Sequence, residues 1–305
     1  VVSVGWSGKS FSGSRTLQGW EEYKLTPAAR RPVVAAVRGF YGWAHESGYI
    51  NTNPAEYLYY PKSGRKIPVA MSLASAERIM LQCDLDTFIG LRDAAILAVL
   101  IGCGPRVGGV CGLDVEDLHW QHDAAGMDRL VIKFKEKGDK ERLVPAPIQT
   151  ALYLQAYLNH EDLVKYDRSL ENGHQVLFVS NNNNVPAHER HGEHIRVAPR
   201  SVFDRIRKYG EQAGIPSNEL HPHAMRHLFG TEMTEDDVNV FVQAELMGHE
   251  DTRTTQAYSQ LAMRKKAEAI DKASPMRKIR TPVSGIAQQL ENNTRKRAST
   301  PRKGA

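Results

Sequence analysis

Between Arg129 and Val144 the chain changes period, and that change limits the class of fold it can adopt. LVIKF (130–134) alternates as a strand does, EKGDK turns at Gly138, and ERLVP (141–145) resumes as a second strand. The other periodic segments are helical. Pro27 to Gly48 carries Val33, Val34, Val37, Phe40, Tyr41 and Ala44 at helical spacing, and INTNPAEYL turns into a short second helix. SLASAERIM opens a helix with Ser72 or Ser75 as its cap. Leu91 to Leu100 is a strongly apolar helix halted at Gly102 and Gly104-Pro105. Residues 148–159, 199–213, the stretch carrying Arg226 and the region 235–247 are helical as well, while Asn181–Asn184 with Pro186 is a loop. No internal repeat is present. The expected fold class is mainly α with a small antiparallel β-sheet.

PKSGRKIP (61–68) combines Pro, Gly, Ser and three basic residues, which is linker composition. It divides the chain into a short helical region (1–61) whose first sixteen or so residues are poorly structured, a linker (62–70) and a larger second domain (71–261). A C-terminal helix and basic tail (262–305) follow. At 305 residues and 41% hydrophobic content the chain can bury a sizeable core. Its net charge of +5 matters through its distribution, because residues 262–305 hold twelve Lys or Arg against three acids. Such a tail, disordered or helical, seeks a polyanion. Cys83, Cys103 and Cys111 form no CxxC pair and read as reduced core thiols. No signal peptide or apolar run of membrane-spanning length is visible, so a soluble, cytoplasmic protein with no membrane partner is expected.

The chemistry is concentrated between His221 and Tyr258. His223 and Arg226 lie three apart, on one helix face; Gly248-His249 follows, and Tyr258 comes nine residues after His249. Alone, each piece is ordinary. Together they offer three donors able to grip a phosphate and a phenol able to attack one. Cleaving a phosphodiester without a metal needs a nucleophile, cations on the non-bridging oxygens, an acid for the departing oxygen, and alignment of all three. Arginine suits the second task because its planar fork matches phosphate and stays charged. Tyrosine suits the first: the phosphotyrosyl bond keeps the energy needed for rejoining, and no ATP is required.

PHxxRH followed by LMGHEDTRTTQAY resembles the C-terminal signature of the tyrosine recombinases, the phage-integrase family. LIGCGPRVGGVCGLDVEDL is similar to the family pattern TGxRxxEhxxLxxxDh, matching at Gly104, Arg106, Leu113 and Asp117. It departs at Gly109, where the family usually carries Glu or Asp in support of the active site. EKGDKERLVP resembles the family's GKGxKxRxVP, which aligns Lys137 with the catalytic lysine; Lys135 and Lys140 are close enough to compete. FYGWAHESGYI with NTNPA resembles the end of the family's core-binding domain, a small helical bundle forming half of a DNA clamp. The first helix of that domain is shortened or missing here, as in a truncated start.

The resemblance implies that Tyr258 attacks the scissile phosphate and stays joined to the 3′ phosphate. Arg106 and Arg226 would clamp the non-bridging oxygens. His223 would help deprotonate the phenol or hold the phosphate, His249 would donate to it, and Lys137 would protonate the 5′ oxygen. It also implies a homo-tetramer on two double-stranded DNA sites, admits a DNA-bending accessory protein, and requires no cofactor and no metal. After the tyrosine, the family sends a C-terminal helix into a neighbouring protomer; LAMRKKAEAIDKA would be that helix, with Leu261, Ala269 and Ile270 as contacts.

The leading expectation is a site-specific recombinase, an integrase of a phage or mobile element. A chromosome-dimer resolvase is the alternative of the same chemistry. A topoisomerase-like nicking and resealing enzyme is another, and Gly109 motivates a DNA-binding relative weakened or inactive in catalysis. His188, His191 and His194 lie in a polar loop without ligand spacing, and Arg226 amid His221, His223 and His227 would repel a cation. GCGPRVGG follows no strand and lacks a P-loop lysine.

Overall fold

Helix α3 (Phe88–Cys103) is apolar around its circumference and buried almost throughout, as a helix without a polar face must be. It belongs to the second of two compact units, Val1–Ile67 and Pro68–Ala305, in a computed structural model that describes residues 26–62, 69–122, 128–136, 140–181, 186–248 and 259–299. Around α3 the second unit assembles α2 (Leu73–Met80), α4 (Val107–Cys111), α5 (Ile148–Leu158), α6 (Pro199–Gln212), α7 (Pro222–Glu235), α8 (Val240–Met247) and α9 (Ser259–Ala273). The short α10 (Pro275–Lys278) and α11 (Ser284–Ser299) complete it. Burying each large apolar side chain of α3 contributes about 1.5–3 kcal/mol relative to exposure. Two charges sit inside the same helix: Arg92 and Asp93 pair at 2.6 Å, with Arg92 also donating to the Val179 carbonyl and Tyr209 donating to Asp93.

The sheet has the order β1-β2-β3 and is antiparallel throughout. Strands β2 (Asp128–Glu136) and β3 (Lys140–Pro145) are the expected pair, with Phe134 opposite Arg142. The third strand, β1 (Leu118–His122), was not expected. LHWQH pairs along an edge, where Trp120 stays 44% exposed, so burial imposes little alternation on its sequence. Gly102 does not halt α3 either. It is a helical residue whose Cβ would lie 2.4 Å from Thr150 Oγ1, and the stop comes at Gly104 in the left-handed region.

The C-terminal region differs most from expectation. Ala269, Ile270 and Ala273 of α9 are buried within their own unit, and Arg129 of β2 donates to Asp271 at 3.0 Å. Ala269 and Ile270 are therefore not free for a neighbouring protomer; the side chain of Leu261 lies outside the described residues. The chain then folds back. Ser274 donates to the Gly102 carbonyl, Met276 and Ile279 are buried, and α11 lies along α5. Several of the basic residues are already paired: Lys266 with Glu245 (2.8 Å), Arg277 with Glu291 (2.9 Å), and Lys278 with Glu232 (2.6 Å). The picture of a tail whose whole charge seeks a polyanion is corrected accordingly.

In the first unit, α1 (Pro27–Glu46) is capped by Thr26, whose hydroxyl accepts from the Ala29 amide, and buries Val34, Val37 and Ala44. Phe40, Trp43 and Tyr49 stay exposed, with ring contacts linking Phe40 to Trp43 and Trp43 to Tyr49. The expected second helix at INTNPAEYL is a run of turns. Asn53 Oδ1 accepts from the Ala55 amide, a local alternative to helical bonding. All three cysteines are free and buried, and burial pushes each thiol up to about 12. Among the described residues no helix is long and apolar enough to cross a membrane.

Candidate active site

The turn that carries Arg106 is built by its neighbours. Gly104 ends α3 at φ +59°, and a Cβ there would sit 2.5 Å from Phe229 Cδ1, so conformation and space both demand glycine. Pro105 prevents the helix from continuing. Arg106 then occupies the N-cap of α4 with extended backbone, makes no side-chain cap, and is exposed to solvent.

Helix α7 supplies the facing wall. His221 caps it, Nδ1 accepting from the Ala224 amide at 2.9 Å, and Pro222 takes the first helical position, where its missing N–H costs nothing. Ala224, Met225, Leu228, Phe229 and Met233 bury the inner face. Arg226 lies at its border, 6% exposed, donating from Nη1 to the Gly104 carbonyl at 2.6 Å and from Nη2 to the Met247 carbonyl. His223 is one turn earlier on the solvent side, its ring 6.3 Å from that of His227.

These side chains line one cleft of about 910 Å³, which Arg106, His223, Arg226, His221, His227 and Gln243 all border. Its charge is positive. Partial burial, and after it the charges of His227, Arg226, His221 and Arg106, hold the His223 imidazolium below its ordinary range. A neutral imidazole sharing a cleft with two guanidinium groups can accept a proton while the arginines hold an anion. Among the described residues no group of three or more His, Cys, Asp or Glu side chains could hold a metal ion.

The structure thus brings Arg106, His223 and Arg226 together. Lys137, His249 and Tyr258 lie outside the described residues. What leads to them is described: α8 ends at Gly248 in the left-handed region, φ +65°, one residue before His249. A Cβ on Gly230 of α7 would lie 3.2 Å from Met247 Cε, so the two helices approach closely there. Of the lysines that compete with Lys137, Lys135 reaches the buried carboxylates of Asp114 (3.8 Å) and Asp117 (4.0 Å).

Two residues near the cleft escaped the sequence reading. Gln243 of α8 donates to the Gly230 carbonyl at 2.8 Å and ties α8 to α7; nothing in its local sequence marks it. Arg142 of β3 is 8% exposed, lies over the Phe134 ring at 4.9 Å and donates to the Leu246 carbonyl. Signals did exist for Arg142: it falls on the arginine of the GKGxKxRxVP pattern, and it is in phase with the fully buried Val144, a charge at an inward position of the strand.

The phage integrase family model matches residues 70–265. The tyrosine recombinase XerC of Myxococcus xanthus is 29% identical over 249 residues, covering 82% of this chain and 77% of that protein. Tyrosine recombinase XerD of Proteus mirabilis is 30% identical over 242 residues, covering 79% of this chain and 70% of that protein. Among solved structures, XerH site-specific recombinase in a post-cleavage complex with a palindromic difH substrate superposes with a TM-score of 0.57. It is 16% identical over 82% of this chain and 69% of that one, a likeness of fold. With the family model spanning most of the second unit and recombinase relatives matching four-fifths of the sequence, the chain belongs to the phage integrase family of tyrosine recombinases.

Proposed function

We propose that this chain is a site-specific DNA recombinase that cuts and rejoins DNA strands through a 3′-phosphotyrosyl intermediate. The observation that supports the reading is the meeting of Arg106, His223 and Arg226 in one positive cleft, in a chain whose family is that of the tyrosine recombinases. Residues 71–261 are the catalytic domain, and residues 1–61 belong to the core-binding domain.

The Tyr258 phenol attacks the scissile phosphorus. Its proton passes to His223, which is held neutral and ready to accept it. A bond forms between Tyr258 Oη and phosphorus as the bond to the 5′ oxygen breaks, and Lys137 supplies the proton that oxygen takes up. Arg106 and Arg226 hold the two non-bridging oxygens, where charge grows in the transition state. His249 adds a hydrogen bond. Rejoining is the reverse, with the 5′ hydroxyl of a second duplex as nucleophile, so the bond energy is conserved. Exchange between two duplexes takes four protomers, and the enzyme acts in the cytoplasm with or without a DNA-bending partner.

A second reading, a DNA-binding relative with weakened catalysis, has one observation in its favour: the family acid is absent at Gly109. Sites recovered by sequencing DNA bound to the protein in cells, placed in pairs on a plasmid and incubated with the purified chain, separate the readings. Exchange products between two sites support recombination. Relaxation of supercoils without exchange would indicate a topoisomerase-like enzyme, and binding without either product the weakened relative.

A further inference from the structure

We propose that Arg142 is a positioning residue for strand cleavage, fixing β3, the strand that follows Lys137 in the chain, against the last turn of α8. The inference rests on the recombinase reading above. Arg142 lies on β3, its guanidinium lies over Phe134 of β2, and its Nη1 donates to the carbonyl of Leu246. The next carbonyl, that of Met247, accepts from Arg226. Two arginines from two different elements therefore hold consecutive carbonyls at the end of one helix.

That end needs such partners. The last carbonyls of a helix lack intrahelical donors and carry the negative end of its dipole, so cations satisfy them well. With eight residues, α8 is too short to be stable by itself. Stability alone accounts poorly for an arginine here, because a buried charge is costly to desolvate and an apolar side chain of similar volume would often serve as well or better. What an apolar side chain cannot do is join β3 to a backbone oxygen of α8. A lysine would do it imperfectly: only the planar fork both stacks on Phe134 and donates.

The consequence is geometric. Leu246 is three residues before His249, and Arg142 is five residues after Lys137. One hydrogen bond thus joins the segment entering the histidine to the segment leaving the lysine. Arg142 touches no reacting atom in this account; it acts through Lys137.

The test uses the full chain as wild type, Arg142→Met and Arg142→Lys. The substrates are duplexes recovered by covalent capture with wild type, with either the natural 5′ oxygen or a bridging 5′ sulfur at the scissile phosphate. Sulfur leaves without a proton and bypasses the general acid. Arg142→Met is expected to bind DNA within about threefold of wild type and to cleave the oxygen substrate about 10–100-fold more slowly, the scale of an ångström-level misplacement. It should recover most of that loss on sulfur, exchange amide hydrogens faster at residues 244–248, and be partly restored in Arg142→Lys. Cleavage at the wild-type rate, or equal losses on oxygen and sulfur as a merely structural role predicts, would overturn the proposal. If wild type forms no covalent complex, the recombinase reading fails on its own account. The anchoring is then decided by hydrogen exchange: faster exchange in Arg142→Met supports it, and unchanged exchange overturns it.

Discussion

Arg226 Nη1 donates to the carbonyl of Gly104 at 2.6 Å, two residues before Arg106. The buried arginine thereby holds the turn that presents the exposed one, and the two should respond differently to removal. Arg106→Ala is expected to cost less stability than Arg226→Ala, because it is exposed where Arg226 is buried, while abolishing measurable cleavage. Arg226→Ala strips the donor from two buried carbonyls, each costing about 1–3 kcal/mol, and should lower both stability and cleavage. Thermal melts beside covalent-complex assays decide it, and equal stability losses would contradict the division of labour.

His223 gives the site a pH signature. Its surroundings disfavour the imidazolium, so the fold binds fewer protons than the unfolded chain between the lowered pKa and the ordinary value of about 6.5. Its contribution to stability is present above that ordinary value and is lost as pH falls from there through the folded pKa. A bound phosphate acts in the opposite sense, so DNA binding should draw a proton onto the ring near pH 6. Calorimetry in two buffers of different ionisation enthalpy measures that uptake; His223→Gln should lack it, and an unchanged uptake would remove His223 from the phosphate.

Lys135 and Lys137 can be told apart. Lys135 is engaged by the carboxylates of Asp114 and Asp117, so Lys135→Met should alter cleavage by less than about tenfold. Lys137→Ala should cost about 10²–10⁴-fold, the usual worth of a general acid, and a 5′-sulfur substrate should restore it. Restoration in Lys135→Met instead would exchange the assignments.

Gly109 has room for the acid that the family usually carries. Among the described residues, a Cβ there meets the Lys135 carbonyl and Phe134 Cδ1, both at 3.8 Å, which is ordinary contact. Gly109→Glu should therefore fold, gain about 0.5–1 kcal/mol from replacing a helical glycine, and raise single-turnover cleavage several-fold. A variant that melts lower and cleaves no faster would show that this chain has no use for the acid.

Much of the fold was readable because its signals are local. The apolar run of α3, the Gly104-Pro105 stop and the period-two alternation of β2 and β3 each depend on a few neighbouring residues. Arg106, His223 and Arg226 could be named because their spacing and surrounding motifs are characteristic, and the fold brings them to one cleft. What sequence concealed depends on contacts distant in the chain. By sequence Ile270 and Met276 belong to an outward helix and a tail, yet they are buried, since α9 packs on β3, α7 and α8 and α10 packs on α3 and α7, all upstream. Lys278 counted as free charge until Glu232, forty-six residues earlier, lay beside it. Gln243 is ordinary until Gly230 admits it.

The most direct measurement is the identity of the residue joined to DNA. Wild type and Tyr258→Phe would be incubated with a captured-site duplex, denatured and digested, and the nucleotide-bearing peptide sequenced by mass spectrometry. A 3′-phosphodiester on Tyr258 in wild type, with no adduct in Tyr258→Phe, is the predicted result. An adduct on another residue, or one that persists in Tyr258→Phe, would contradict the account.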